Sequence, residues 1–203
     1  MSESWATLTS KAESAARSGR YDEAKDCYKQ ALADAEASGE VQNAYNTRCN
    51  LAGLLRLLDD YVQAEQLLRE ATQLRYDHPH QLAREPVSPL SDLERILAKQ
   101  GRLPELEQLY RTDAEKMLAE YGRDSFECKM SLMSLAKMYG THFKNMERCK
   151  LLFKEVLAWS STAEPITRNM IYMNYETVLR AAGLAAEADA VRQELAALRQ
   201  AQT

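Results

Sequence analysis

The chain has 203 residues, and 45% of them are hydrophobic, which is enough to build one large domain or a short array of repeats. The 26 Lys and Arg residues against 30 Asp and Glu give a net charge of −4 and a pI near 5.5. This balance argues against a nucleic-acid partner, because nucleic-acid-binding domains are normally strongly basic. With only seven Gly and five Pro, and with helix-forming residues dominant, the composition predicts an all-α fold.

Motifs for membrane insertion, metal binding and catalysis are absent from the sequence. No apolar stretch reaches the roughly 18 residues that a membrane span needs, and "MSESWATLTSKAES" at the start does not read as a signal peptide. Four scattered cysteines without C-x-x-C spacing favour reduced thiols in a cytoplasmic protein. No two glycines lie within four residues of each other, so no phosphate-binding loop is expected. We therefore predict no membrane contact, no metal, no cofactor and no enzymatic activity.

The predicted elements repeat one pattern in chain order, namely two amphipathic helices joined by a short polar hinge. The second-helix phrase "GRYDEAKDCYKQAL" comes first, and related phrases return as "YVQAEQLLREA", "RLPELEQLYRTDA", "NMERCKLLFKEVL" and "AAGLAAEA". The anchors in these phrases are 40, 42, 43 and 39 residues apart, at Ala24, Ala64, Leu106, Cys149 and Ala188. A fixed period of this length indicates stacked helical hairpins. The predicted repeats are 4–40, 41–78, 79–122, 123–163 and 164–203, forming a single array over 1–203.

Small residues and turn formers fall where such hairpins need them. Ala12, Ala52 and Ala136 allow first helices to approach their neighbours closely, and the glycines of the first, third and fifth hinges suit a left-handed turn. Ser88 is expected to cap a late first helix in the third repeat, with Pro89 at its first position.

These phrases resemble the tetratricopeptide repeat family. Its units carry small residues on both helices, a Gly-x-Tyr turn and a second-helix Ala-x-x-x-Phe/Tyr, as in "GRYDEAKDCYKQAL". The longer period, together with "NLAGLL" and "YVQAEQLLREA", is similar to the kinesin light chain type of repeat. The resemblance implies a right-handed α-solenoid of about five helix-turn-helix units. It also implies a non-catalytic protein whose concave groove, lined by first helices, binds a protein or peptide.

Carrying over the family's first-helix positions gives the candidate binding residues. They are Arg17, Asn46, Asn50, Arg56, Arg95, Lys99, Met133, Lys137, Met173, Asn174 and Arg180. Six first-helix cations against two acids, Glu13 and Asp92, suggest an acidic partner, although the cations could equally be solvated charges. The methionines could line the groove or fill the core between hairpins. Of the positions with which co-chaperones of this family grip a carboxylate, only Asn50 matches, so we do not expect that mode of binding.

A structural or oligomerising subunit, whose solenoid ends stack with other chains, is the alternative function. The last helix, "LAAEADAVRQELAALRQ", carries a leucine stripe, and no further capping helix follows it. Either this helix caps itself or another chain covers it. We therefore expect a monomer or a weak homo-oligomer.

Overall fold

The computed structural model describes residues 3–82, 88–160 and 165–200. These residues contain eleven helices and no strand, which confirms the predicted all-α array of helix-turn-helix repeats. The predicted boundary between the fourth and fifth repeats, at 163/164, lies outside the described residues. The helices are α1 (Trp5–Arg17), α2 (Tyr21–Ala37), α3 (Val41–Leu57), α4 (Tyr61–Asp77), α5 (Pro79–Leu82), α6 (Pro89–Lys99), α7 (Leu103–Tyr121), α8 (Phe126–Thr141), α9 (Met146–Trp159), α10 (Pro165–Ala181) and α11 (Ala185–Gln200).

The chain divides into two compact units, Met1–Gly101 and Arg102–Thr203. The N-terminal unit contains α1 to α6, and the C-terminal unit contains α7 to α11. The two helices of the third predicted repeat, α6 and α7, therefore belong to different compact units. A single array over 1–203 stays a prediction.

In the N-terminal unit, two helical hairpins stack and a further helix covers the second. The helices α1 and α2 form the first hairpin and α3 and α4 the second, with α2 against α3 and α6 against α4. The predicted anchors Ala24 and Ala64 are fully buried, because their small side chains sit where helices cross. The indole N–H of Trp5 donates to the Thr47 hydroxyl over 2.8 Å and ties α1 to α3.

One arginine joins three helices of this unit. Arg48 on α3 contacts Glu36 on α2 at 2.5 Å and Glu70 on α4 at 3.2 Å, and its side chain is only 13% exposed. Its Nη1 is buried and has no hydrogen-bond partner among the described residues. Removing the acids would leave a buried guanidinium without a partner, whereas the two carboxylates are 49% and 41% exposed and keep access to water.

In the C-terminal unit, α8 is the central helix. It packs against α7, α9 and α10, and α10 pairs with α11. The anchors Leu106, Cys149 and Ala188 are fully buried, so the two positions that depart from alanine still point into the core. Phe153 on α9 stacks on Tyr175 of α10 with ring centroids 4.7 Å apart.

The hinges between paired helices use a left-handed residue. Gly19, Gly101 and Gly183 have φ of 70° to 77°, as their spacing predicts. The other two hinges use residues that the sequence did not reveal as left-handed, Asp59 with φ 60° and Lys144 with φ 54°. A side chain at such a backbone angle is strained, because its Cβ crowds the neighbouring main chain.

The third repeat's first helix starts late, as predicted, with Pro89 in its first turn. Ser88 occupies the N-cap position, but its side chain makes no capping hydrogen bond. Its carbonyl oxygen instead accepts from the Ser91 hydroxyl over 3.0 Å.

Candidate functional site

The N-terminal unit presents polar side chains on its first helices, together with the exposed Leu57 on α3. We call this surface the N-terminal first-helix surface, and its predicted members are Arg17 on α1, Asn46, Asn50 and Arg56 on α3, and Arg95 and Lys99 on α6. All six are exposed or half-buried. On α3 they recur with Gly53 at spacings of three and four residues, which places them on one helix face. An ion pair between Arg56 Nε and Asp92 Oδ1, at 3.2 Å, brings α3 and α6 together there.

Two amides on this surface are available to a partner. Asn46 and Asn50 are half-buried, and neither side chain has a hydrogen-bond partner among the described residues. A side-chain amide can donate and accept at once, which is what a peptide main chain requires of a partner. Asn46 and Asn50 are therefore suited to pair with a peptide main chain.

The cations of this surface are largely neutralised by acids of the chain itself. Asp92 lies 3.2 Å from Arg56 and 3.0 Å from Arg95 and so serves both guanidinium groups. Arg17 lies 3.7 Å from Glu13 in an exposed pair. The surface therefore carries much less free positive charge than its cations alone suggest.

Lys99 belongs to a small cluster with Asp59 and Tyr61. Its ammonium lies 3.5 Å from the Asp59 carboxylate and 4.4 Å from the centre of the Tyr61 ring, and it donates to the Tyr61 hydroxyl. That hydroxyl donates to Asp59, and with the charge of Lys99 it lowers the pKa of the Asp59 carboxyl. Sequence reasoning missed Asp59 because it lies in the hinge and not on a first helix.

The C-terminal unit presents a second surface on α8 and α10. We call it the C-terminal first-helix surface, and its predicted members are Met133, Lys137, Met173, Asn174 and Arg180. Of the two alternatives left open for the methionines, Met133 takes the core, because its side chain is only 7% exposed. The reason is that α8 packs against three other helices and so buries a wide arc of its circumference. Met173, by contrast, is 56% exposed and lies on the surface, so the two methionines follow different alternatives.

Two of the polar members already have partners within the chain. The Asn174 amide donates to the Met170 carbonyl oxygen over 2.8 Å. Arg180 lies 2.9 Å from Glu176 and 2.7 Å from Asp189. Lys137, in contrast, is exposed and forms no ion pair with any described residue.

The apolar part of the C-terminal first-helix surface lies near the starts of its helices. Phe126 is 45% exposed on α8, and Ile166 is 78% exposed on α10. Sequence reasoning missed both residues, although Ile166, Met170 and Met173 have the spacing of one helix face. Val62 and Leu151 on second helices are exposed to a similar degree, so this exposure alone does not mark a binding surface.

Features of a catalytic or metal site are not found in the part of the chain that the structure describes. No group of three or more His, Cys, Asp or Glu side chains there could hold a metal ion. Burial raises the pKa of the Cys128 and Cys149 thiols to about 11, which suppresses the reactive thiolate. No described helix is long and apolar enough to cross a membrane.

Comparison with known proteins identifies the repeats. The family model described as tetratricopeptide repeat matches residues 5–77, which span the first two hairpins. These two hairpins are therefore similar to tetratricopeptide repeats (TPR). A search of curated proteins found no match.

Solved structures extend the likeness in fold to the whole chain. The "kinesin light chain nearly identical TPR-like repeats" from Podosopora anserina are 18% identical, with a TM-score of 0.64 over 100% of this chain and 99% of that one. A single-substitution form of those repeats is 19% identical, with the same TM-score and coverage. BtubC (BKLC) from P. vanneervenii is 18% identical, with a TM-score of 0.60 over 94% of this chain and 78% of that one. The resemblance to TPR repeats of the kinesin light chain type is confirmed.

Proposed function

We propose that this TPR-like protein is a non-catalytic, cytoplasmic adaptor that holds an extended segment of a partner protein on its first-helix surfaces. TPR repeats in general are protein–protein interaction modules. The proposal gives the chain no cofactor, nucleic acid or membrane to bind. It also places all five predicted repeats in a single array.

The observation that carries the proposal is the pair of unpartnered amides on α3. Asn46 and Asn50 sit half-buried on a helix whose other face is packed in the core. An amide held in a partly dry site gains more from a hydrogen bond than one in open water, because less solvent competes for it. The two amides are four residues apart, so both can reach one partner chain.

An acidic segment in the partner is the finer part of the proposal. Lys137 is the predicted site cation that forms no ion pair within the described residues, so a carboxylate can approach it without displacing another acid. The remaining cations are shared with Glu13, Asp92, Asp59, Glu176 and Asp189. We therefore expect one or two favourable charge contacts and not a strongly cationic groove.

Peptide selection tests the proposal directly. Immobilised wild-type protein is used to select binders from a library of 12-residue peptides, and their affinities are measured by fluorescence polarisation. We expect Asn50→Ala to weaken binding about tenfold, since a hydrogen bond in a partly buried site contributes about 1 kcal/mol and the vacated site adds a desolvation cost. Asn174→Ala is the matched control, because its amide already pairs with the Met170 carbonyl.

The charge part has its own test in salt and in a variant. For selected acidic peptides, affinity should fall several-fold between 0.1 M and 1 M salt, because the Debye length shrinks from about 10 Å to about 3 Å. Lys137→Glu should abolish most of that salt dependence. Selection of basic peptides, or an affinity that stays flat across this range, would rule out the acidic partner. Equal binding by the Asn50→Ala and Asn174→Ala variants would contradict the role of the α3 amides.

The alternative role, end-to-end stacking between chains, gains no support from α11. Its exposed described residues are alanines, charged residues and Gln, with no large apolar side chain among them. Such a face resembles the polar cap that a solenoid end needs. We expect light scattering to show a monomer, whereas a stable dimer would revive the alternative.

A further inference from the structure

Six of the seven glycines have an explanation within the chain. Five have positive φ and lie at turns, where a side chain would be strained. The sixth, Gly140, lies where a Cβ would stand 2.6 Å from Val178 Cγ1 and 3.1 Å from Cys149 Sγ. Gly53 is the exception, because it lies inside α3 with ordinary helical geometry, and a Cβ added to it would meet no atom within 4 Å.

A glycine inside a helix weakens that helix relative to alanine, because the unfolded chain gains conformational freedom. Gly53 therefore lowers the stability of α3 while the folded chain makes no use of the missing side chain. A glycine of this kind typically marks a place where another backbone or a ligand approaches closely. No described residue fills this space, so it is open to a group from outside them.

The residues around Gly53 indicate which kind of group would fit beside it. It lies three residues after Asn50 and three before Arg56, on the face that also carries Asn46. Asn46 and Asn50 are about 6 Å apart along the helix axis, at 1.5 Å per residue. Two residues of an extended chain span nearly the same length, at about 3.3 Å per residue. Main-chain groups on one side of an extended peptide thus recur with the spacing of the two amides.

We propose that Gly53 is the contact point at which an extended partner main chain lies directly against the backbone of α3, with Asn46 and Asn50 pairing with its peptide groups. This inference rests on the proposed function and adds to it the partner's conformation and a residue that controls access. A methyl group at position 53 would hold the partner away from α3, so the two amides would no longer reach it at hydrogen-bonding distance.

The test uses a 12-residue peptide selected on the wild-type protein and compares Gly53→Ala, Asn50→Ala and Gln66→Ala. Gln66 lies on the second helix α4, away from the first-helix face, and serves as the control for adding alanine to a helix surface. We expect Gly53→Ala to raise the urea midpoint of unfolding and yet to weaken binding at least tenfold. Gln66→Ala should bind like wild type. A gain in stability coupled to a loss in binding is a result that misfolding cannot produce.

The other possible results separate a failure of this inference from a failure of the proposed function. If Asn50→Ala weakens binding while Gly53→Ala binds like wild type, the inference is wrong and the proposed function stands. A fall in the urea midpoint of Gly53→Ala would mean that the chain itself needs the space, and this too would overturn the inference. If the wild-type protein selects no peptide, the proposed function fails, and the inference fails with it.

Discussion

Substituting Gly140 with alanine sets two opposing effects against each other. Alanine is the better helix former by up to about 1 kcal/mol, and Gly140 lies in the last turn of α8, so propensity alone predicts a stabilisation of at most that size. However, the new Cβ would stand 2.6 Å from Val178 Cγ1 and 3.1 Å from Cys149 Sγ. Carbon atoms in favourable contact are about 3.5–4.0 Å apart, so the overlap with Val178 is roughly 1 Å.

The neighbours of Gly140 have little freedom to move away. Val178 is buried on α10, and a β-branched side chain in a helix has one strongly preferred rotamer. Cys149 is fully buried on α9. Overpacking of a core costs about 1–3 kcal/mol, and with these neighbours we expect the upper part of that range. The net effect of Gly140→Ala should then be a destabilisation of about 1–2 kcal/mol.

Urea unfolding followed by circular dichroism at 222 nm measures this effect. Gly53→Ala is the matched control for helix propensity and should stabilise by up to about 1 kcal/mol. A second check is Val178→Ala, which should cost less in the Gly140→Ala background than in wild type, because it removes the clash. If Gly140→Ala proves as stabilising as Gly53→Ala, the close packing of α8 against α10 is refuted.

Two further variants and one change of pH test the packing within each unit. Arg48→Ala should lower the free energy of unfolding by about 1.5–3 kcal/mol, because hydrogen bonds to a buried charge are lost. The control Arg17→Ala, at an exposed ion pair, should change it by less than about 0.5 kcal/mol. Equal effects would show that the contact through which Arg48 joins three helices is weak. Asp59→Gly should raise the urea midpoint of unfolding, since relief of left-handed strain outweighs an exposed ion pair. A lower midpoint would mean that the pair dominates. Burial raises the pKa of the Cys128 and Cys149 thiols from 9.0 to about 11 in the folded chain. Their contribution to folding stability is therefore complete below pH 9 and is lost as the pH rises towards 11, so the urea midpoint should fall over that window. A flat profile would contradict their burial.

The repeat architecture could be predicted because its signals are local and periodic. The five anchors that the phrases align are all fully buried, including Leu106 and Cys149, which depart from the usual alanine. Position in the phrase therefore outweighs residue identity. The core places each side chain by helix geometry and tolerates a larger residue where the neighbouring helix leaves room.

The charge of the binding surface could not be predicted from first-helix positions alone. Asp59 in a hinge and Asp189 on a second helix neutralise Lys99 and Arg180, and neither acid belongs to the first-helix register. Pairing across helices depends on how the hairpins pack, which spacing along one helix does not reveal. The choice between groove and core for Met133 could not be made for a related reason, since the number of helices around α8 sets how much of it is buried.

The left-handed hinges at Asp59 and Lys144 show a second limit. A glycine in a hinge indicates a left-handed residue, and glycine predicts this conformation correctly in three of the five hinges. Where another residue occupies that position, the sequence carries no comparable signal. The backbone conformation is then imposed by the hairpin, and the Asp60 N–H bond to the Leu55 carbonyl, at 2.9 Å, closes the turn as the Arg20 N–H bond to Ala15 does at 2.9 Å.

Photo-crosslinking tests most directly the central claim that partners bind on first helices. A photoreactive amino acid is placed singly at Arg95 and Met173, which are exposed on first helices, and at Val62 and Leu151, which are exposed on second helices. Each protein is irradiated with a 12-residue peptide selected on the wild type, and the crosslinked fraction is read by mass spectrometry. We predict crosslinks from at least one first-helix position and none above background from the second-helix positions. Crosslinks confined to Val62 or Leu151 would contradict the account.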